Sequence, residues 1–221
     1  MPLTPTQVKD LSDAINTYGF PATYYDFVTN TPVNATSMPA VEVTIQAMLL
    51  SVNPVIAKQG LANVLYWGYA QIGFRSTRVH KFWNNVTAAQ IAEYQALVAA
   101  YGVPSLRQLK AVGMPEYSGV SFLSKIMMFL DPANYCVLDL QLAGIGLALG
   151  VRPLHGVVVH GTTIGATFHN QRIYNAWRAE CMSISKIYFG GAFRVVDIER
   201  GFFQLIQSGN LHAAQLIYSA A

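Results

Sequence analysis

The chain has 221 residues, of which 52% are hydrophobic and only 11% charged, so it can bury a sizeable core in one large domain or two small ones. Lysine and arginine total 14 against 11 acidic residues, and the net charge of +3 permits a nucleic-acid partner. The small number of cations argues against extended electrostatic binding to a phosphate backbone, because each neutralised phosphate needs a nearby Lys or Arg.

Membrane and secretory features are not found in the sequence. No apolar run reaches the roughly 18 residues of a membrane span, and the N-terminus lacks the basic-then-apolar order of a signal peptide. The only cysteines, Cys136 and Cys181, are too few for a structural zinc site and fit buried thiols in a reducing compartment. We therefore expect a cytoplasmic protein with no membrane partner.

Apolar residues at helical spacing predict a mostly α protein with short connections. The predicted helices cover residues 5–18, 41–51, 55–69, 88–101, 106–112, 119–130, 140–149, 170–189 and 196–207. Thr87 and Ser105 stand where helix N-caps are expected. The last of these segments, 196–207, is predicted to be the final strong helix.

Three segments depart from the helical pattern. Residues 29–39 contain several Asn and Pro and predict a loop, and residues 73–79 (GFRSTRV) predict a basic turn. The β-branched, glycine-punctuated stretch near 156–169 predicts a small β-hairpin, the only β element expected. Residues 1–221 are predicted to form one helical domain, with two lobes around a cleft as an open alternative.

The stretch 110–143 (KAVGMPEYSGVSFLSKIMMFLDPANYCVLDLQLA) combines a glycine-bearing turn, an apolar helix and a carboxylate at the start of the next helix. The backbone amides of Gly119, Val120 and Ser121 can hold one phosphate oxygen, although a plain helix-start turn explains the same residues. Asp139 lies among Val and Leu residues, where its charge would act strongly. The alternative is an ordinary N-cap for the helix that follows.

The same stretch resembles the core of helix-hairpin-helix DNA glycosylases, and more narrowly bacterial proteins related to 8-oxoguanine DNA glycosylase. The resemblance is carried by the glycine turn ending in Gly-Val-Ser, where the usual pattern is Gly-Val-Gly, and by the Val-Leu-Asp that ends at Asp139. Three further segments are similar to the bacterial group: Tyr66-Trp67-Gly68, residues 174–181 (YNAWRAEC) and residues 194–199 (RVVDIE). The resemblance spans about residues 60–207.

This resemblance implies a DNA glycosylase of base excision repair that acts on duplex DNA carrying an oxidised or modified base, without a cofactor. It implies that Asp139 is the catalytic aspartate, because a buried carboxylate stabilises the positive charge that develops on the sugar and activates the nucleophile. Bifunctional members also carry a nucleophilic lysine, which would fall near Leu123 here. The nearest lysine, Lys125, is displaced by about half a helical turn, so lyase activity is the less secure expectation.

Lys125 lies on a helix whose other residues are nearly all apolar. If this amine is desolvated, its uncharged form can attack the sugar carbon and form a Schiff base. The alternative is a lysine on the solvent side of the helix.

Glycosylases also flip the target base into a pocket and stack it on aromatic side chains. The candidates for this pocket are Tyr66, Trp67, Phe82 and Trp83, with core packing as the alternative for at least one of the first two. The densest basic cluster could contact the DNA backbone or could be a solvated turn; its members are Arg75, Arg78, His80 and Lys81.

Two further groups of polar residues are assigned no catalytic role. Arg194, Asp197 and Glu199 are interpreted as structural, with Asp197 as a helix cap and Arg194 as the partner of a buried carboxylate. The histidines near the predicted hairpin lack the spacing of a zinc site, so no metal is predicted.

Two other functions stay open at this point. A non-catalytic module with the same fold would bind nucleic acid or a protein, and the low charge and high apolar content favour this slightly. A hydrolase of free nucleosides would explain the weak basicity. A binding module would tolerate Asp139→Asn, whereas a glycosylase would lose activity, and salt dependence separates duplex DNA from a free nucleoside.

Overall fold

The computed structural model describes residues 2–147 and 152–221. Within these ranges the chain forms eleven α-helices: α1 (Pro5–Asn16), α2 (Met38–Leu49), α3 (Pro54–Gly68), α4 (Arg75–Asn85), α5 (Ala88–Tyr101), α6 (Leu106–Ala111), α7 (Val120–Leu130), α8 (Leu140–Ala143), α9 (Phe168–Phe189), α10 (Val195–Gln207) and α11 (Leu211–Ala220). None of these helices, in the part of the chain that is described, has the length and apolarity needed to cross a membrane.

Four short strands accompany the helices. They form two antiparallel pairs: β1 (Thr23–Asp26) with β2 (Thr31–Asn34), and β3 (Val159–His160) with β4 (Thr163–Ile164). The prediction of a mostly α protein with a small hairpin near 156–169 is confirmed. The structure adds the β1–β2 hairpin, which was not predicted and which includes part of the expected loop at 29–39.

Helix starts follow the capping residues of the sequence. Thr87 and Ser105 each accept a hydrogen bond from the amide three residues later, and the glutamine there bonds back to the cap. The predicted helix 140–149 is a short α8 followed by a 3-10 helix (Gly144–Leu147), and residues 148–149 lie outside the described ranges. Helix α11 follows the segment that was predicted to be the last helix.

Contacts group the chain into two compact units. Unit 1 contains Met1–Gly19 and Pro132–Ala221, and unit 2 contains Phe20–Asp131.

Unit 2 is organised around α3, which contacts the first hairpin and helices α2, α4, α5 and α7. This helix is buried almost all round in its second half, as expected for a helix enclosed by neighbours. Gly60 permits the close approach of α2, since a Cβ atom there would lie 2.8 Å from the Leu49 amide nitrogen. The apolar segment that forms α3 is therefore the core of this unit.

A buried asparagine attaches the β1–β2 hairpin to α3. The Asn63 side chain accepts a hydrogen bond from the Tyr25 amide at 2.6 Å and donates one to the Tyr25 carbonyl at 3.0 Å. The Asn63 amide group thereby pairs with β1 as a neighbouring strand would. The hairpin thus depends on a partner far away in the sequence, which is why local composition predicted only a loop.

Unit 1 is built on the packing of α10 against α1, α9 and α11. Gly201, in the middle of α10, allows α1 to approach closely. A Cβ atom at this position would lie 2.6 Å from Ile15 Cγ1 and 2.8 Å from Leu11 Cδ1. The N-terminal helix is therefore part of the core of unit 1.

We expect Gly201→Ala to lower the free energy of unfolding by about 1–2 kcal/mol. The overpacking penalty of about 1–3 kcal/mol exceeds the gain of at most about 1 kcal/mol from the better helix propensity of alanine. Urea unfolding followed by circular dichroism measures the change. Gly144→Ala is the matched control, because a Cβ atom there meets no atom within 4 Å. A Gly201→Ala protein at least as stable as the parent would contradict the close packing of α1.

Candidate functional site

The backbone just before α8 is fixed by buried side chains of α9 and α10. We call residues 136–139 the Asp139 segment. The Tyr174 hydroxyl donates a hydrogen bond to the Cys136 carbonyl at 2.9 Å, and Trp177 Nε1 donates one to the Val137 carbonyl at 3.1 Å. The Val137 amide donates to Glu199 Oε2 at 3.3 Å. All three side chains are buried, so they hold a non-helical segment whose polar groups are shielded from water.

These three anchoring side chains come from the two segments, 174–181 and 194–199, that carry part of the family resemblance. The sequence analysis gave Glu199 a structural role but did not connect it to the Asp139 segment. The signal available in the sequence was a glutamate next to apolar residues on an amphipathic helix, since a buried carboxylate needs hydrogen-bond donors. The predicted cap is confirmed, because Asp197 Oδ2 accepts from the Arg194 amide at the start of α10.

Asp139 is the N-cap of α8. Its Oδ1 atom accepts hydrogen bonds from the amides of Gln141 at 3.0 Å and Leu142 at 3.1 Å. Oδ2 accepts no hydrogen bond from the residues that the structure describes. The side chain is partly exposed, so one carboxylate oxygen is fixed by the helix while the other is left for a water molecule or a substrate.

Tyr18 and Arg200 form a polar cluster near Asp139 within unit 1. The Arg200 guanidinium lies 5.2 Å from the centre of the Tyr18 ring and 3.8 Å from Asp197. Burial raises the pKa of the Tyr18 hydroxyl, Arg200 lowers it, and the carboxylates of Glu199 and Asp139 raise it. The hydroxyl therefore stays protonated at neutral pH and can donate a hydrogen bond. Sequence reasoning missed Tyr18, which lies at the end of a helix with no motif around it.

Lys125 is buried in unit 2, with 6% of its surface exposed, so the alternative of a lysine on the solvent side of α7 is wrong. Its Nζ atom donates to the Ser121 carbonyl at 3.3 Å and lies 5.1 Å from the centre of the Phe122 ring. A Cβ atom at Gly68 would lie 3.0 Å from Lys125 Cδ, so the stem packs closely against α3. The stem is thus buried among apolar side chains, while the amine has the Ser121 carbonyl and hydroxyl as polar partners.

The predicted phosphate-binding turn opens α7 as expected. Gly119 is the N-cap of this helix, with extended backbone and no side-chain cap. Val120 is buried, and the Ser121 carbonyl and hydroxyl both lie within hydrogen-bonding distance of Lys125. The amides of the first turn are therefore not capped by a side chain. A phosphate-binding turn and a plain helix start would both have this feature.

The predicted basic turn at 73–79 is wrong from residue 75 onward, because α4 begins there and contains all four members of the basic cluster. The charged side chains of this cluster bind partners within unit 2. Arg78 Nη1 and Lys81 Nζ each lie 2.8 Å from a carboxylate oxygen of Glu116, whose side chain is 4% exposed. Arg75 donates to the Thr23 hydroxyl and covers the Tyr66 ring at 4.0 Å. Neither interpretation of this cluster, contact with the DNA backbone or a solvated turn, included Glu116, because it lies far along the chain.

Three of the four predicted base-pocket residues, Tyr66, Trp67 and Phe82, belong to the core of unit 2. Phe82 is fully buried beside Tyr117, and Trp67 packs between Phe20 and Phe129. The core alternative therefore holds for Trp67, and Phe82 is corrected to a core residue because no face of its ring is open to a base.

Trp83 is the most exposed of the four candidates, and Tyr66 is the least buried of the other three. Tyr66 is buried beneath Arg75, and Trp83 is partly exposed. Trp83 stacks on Phe27 with ring centres 4.6 Å apart, and Lys58 Nζ lies 4.5 Å from its ring centre. Tyr66 and Trp83 thus flank the β1–β2 hairpin, where aromatic rings and cations alternate.

The two catalytic candidates belong to different units, Asp139 to unit 1 and Lys125 to unit 2. The described residues contain no group of three or more His, Cys, Asp or Glu side chains able to hold a metal ion. Cys136 and Cys181 are buried and form no disulfide, and burial raises the pKa of both thiols.

Comparisons of the chain with protein-family models, curated proteins and solved structures found no match.

We expect Tyr174→Phe to lower the free energy of unfolding by about 1–3 kcal/mol, because the buried carbonyl at the start of the Asp139 segment loses its donor. The ring is retained, so the loss reports the hydrogen bond rather than a cavity. Urea unfolding measures it. Tyr101→Phe is the matched control, since Tyr101 is 60% exposed and its change should stay within about 0.5 kcal/mol. Equal stabilities of the two variants would show that the anchor contributes nothing.

Proposed function

We propose that this protein is a DNA glycosylase of the helix-hairpin-helix type that hydrolyses the N-glycosidic bond of an oxidised or otherwise modified base. The observation that supports this most directly is the geometry of Asp139. One of its oxygens is fixed by two amides, the other faces no donor among the described residues, and the segment before it is anchored by three buried side chains.

Such a carboxylate suits the chemistry of base release. As the bond to the base breaks, positive charge builds on the sugar, and the fixed carboxylate stabilises this charge without having to reorganise. The oxygen that makes no bond to the helix can accept a proton from the attacking water. The helix start therefore orients the Asp139 carboxylate through one oxygen, and the other oxygen accepts the proton of the attacking water.

Lys125 provides a second, separable part of the proposal. Lys125 is buried on α7, and an uncharged amine there would attack the sugar carbon as the base leaves; the resulting Schiff base would make the enzyme a lyase as well. The amides that open α7 would bind one backbone phosphate. The proposed setting is base excision repair in the cytoplasm, with duplex DNA as the partner.

A second candidate, hydrolysis of free nucleosides, is favoured by one observation. Arg78 and Lys81 are both paired with Glu116, so this part of the basic cluster carries a net charge of about +1 and attracts a phosphate backbone weakly. The same carboxylate chemistry at Asp139 would serve a nucleoside that carries no phosphate.

Asp139→Asn should lower the rate of base release by about 100-fold or more, because it removes the negative charge while asparagine still caps α8. The assay follows excision from duplex and single-stranded oligonucleotides that carry 8-oxoguanine, uracil or alkylated purines, with free nucleosides in parallel. Asp10→Asn, on the exposed face of α1, is the control and should retain full activity.

Borohydride trapping in the same assay tests the lysine. A covalent adduct that is formed by the parent and by Lys110→Gln, but not by Lys125→Gln, identifies Lys125 as the nucleophile. Excision without any adduct makes the enzyme monofunctional. DNA binding without excision of any base would replace the glycosylase proposal by the binding module, and release from nucleosides alone would select the second candidate.

Glu116→Gln should steepen the salt dependence of duplex binding. The substitution frees Arg78 and Lys81 for phosphates, so the slope of log K against log salt should grow by up to about 0.9 per freed cation. Filter binding or fluorescence anisotropy over a salt series measures the slope. Glu93→Gln, an exposed glutamate on α5, is the matched control. A slope that is the same in both variants would exclude phosphate contacts by Arg78 and Lys81.

A further inference from the structure

A cleft of about 500 Å³ opens in unit 1 along α9 and the 3-10 helix Pro153–Gly156. Its polar lining consists of guanidinium and imidazole groups, from Arg152, His155, His169 and Arg172. Pro153 and Ile173 add apolar surface, and no described residue that lines the cleft is acidic. The site contains neither Asp139 nor Lys125, so it is separate from the residues proposed for glycosylase chemistry.

The cations of the cleft are held in different ways. Arg152 is fixed by Glu180, with Nη1 and Oε1 3.2 Å apart, so part of its charge is balanced. Arg172 is exposed on α9 and forms no hydrogen bond or ion pair with the residues that the structure describes. The cleft therefore offers one cation already set in place and one that is available to a ligand.

The histidines supply further donors. His169 Nε2 donates to the Gly156 carbonyl at 2.7 Å, which fixes the ring and leaves Nδ1 for another partner. His155 is exposed on the 3-10 helix. A ligand in this cleft would meet two guanidinium and two imidazole groups over an apolar base, and it would meet no lining carboxylate in the described chain.

We propose that this cleft binds a phosphate group that is carried either by a nucleotide or by a nucleic-acid backbone. Arginine forks match the oxygens of phosphate, and a phosphate monoester carries more charge and more acceptor oxygens than a carboxylate, so it gains more from several converging donors. The apolar surface of Pro153 and Ile173 suits a sugar or base attached to the phosphate. This inference does not depend on the proposed glycosylase activity.

Calorimetric titration of the full chain tests the site with four probes: inorganic phosphate, thymidine 5′-monophosphate, thymidine and a short DNA duplex. The monophosphate should bind saturably and thymidine should not. Arg172→Gln should weaken binding about tenfold, because a charge-assisted hydrogen bond is lost. The affinity of Arg172→Lys should lie between those of the parent and Arg172→Gln, because lysine keeps the positive charge but not the forked guanidinium geometry.

Lys186→Gln is the matched control, because it removes one exposed positive charge from the same helix outside the cleft. Binding of the monophosphate or phosphate that is weakened by Arg172→Gln but not by Lys186→Gln supports a site for free phosphate compounds. The same pattern with the duplex alone supports a backbone site. Absence of binding by every phosphate probe, an unchanged affinity in Arg172→Gln, or equal losses in the two variants would overturn the proposal. The titration is judged by the effect of Arg172→Gln and the base-release assay by the effect of Asp139→Asn, so the two proposals fail or succeed independently.

Discussion

The organisation of unit 1 depends on how the backbone of the Asp139 segment satisfies its polar groups. This segment is neither helix nor strand, so it has no regular ladder to join, and a buried amide or carbonyl left without a partner costs about 1–3 kcal/mol. Tyr174, Trp177 and Glu199 supply those partners from α9 and α10. The two helices must therefore keep their register with each other for the segment to keep its shape. The close contact of α1 at Gly201 fixes α10 from its other side, which extends this dependence to the N-terminal helix.

The geometry of Asp139 shows that it is a helix cap and is compatible with the proposed catalytic role. An aspartate at a helix start is usually explained by the cap alone, and the two amide contacts confirm that role. Both contacts use the same oxygen, however, so the cap orients the carboxylate and leaves its second oxygen available for chemistry. Tyr18 and Arg200 place a hydroxyl and a guanidinium in the same region, and the pKa of Tyr18 responds to the Asp139 charge. The structural role is thus compatible with the catalytic one and supplies the orientation that catalysis requires.

Structural features that depend on residues close together in the chain were predicted from the sequence. The helices that begin at Thr87 and Ser105 were predicted from caps, because a cap and its glutamine lie within one turn. The β1–β2 hairpin was missed because its attachment to α3 is made by Asn63, far along the chain. The partner of Arg78 and Lys81 was missed for the same reason, since Glu116 lies in the connection between α6 and α7. Burial of Lys125 was left open, because an apolar helix with one lysine can turn that residue to either side. At the candidate site, the sequence predicted Asp139 but not the side chains that hold it.

The distribution of charge explains how so weakly basic a chain could act on a nucleic acid. Several of its cations are already engaged within the protein: Arg78 and Lys81 by a buried carboxylate, and Arg75 by an aromatic ring. These contacts leave the net charge of +3 unchanged, but they reduce the number of cations that are available for direct contact with a phosphate. Recognition by such a surface must rest on short-range contacts, such as helix-start amides and isolated guanidinium groups, whose strength depends on geometry rather than on the sum of charges. A protein of this kind would bind few phosphates, each at a defined position, and would choose its substrate mainly at the reacting nucleoside.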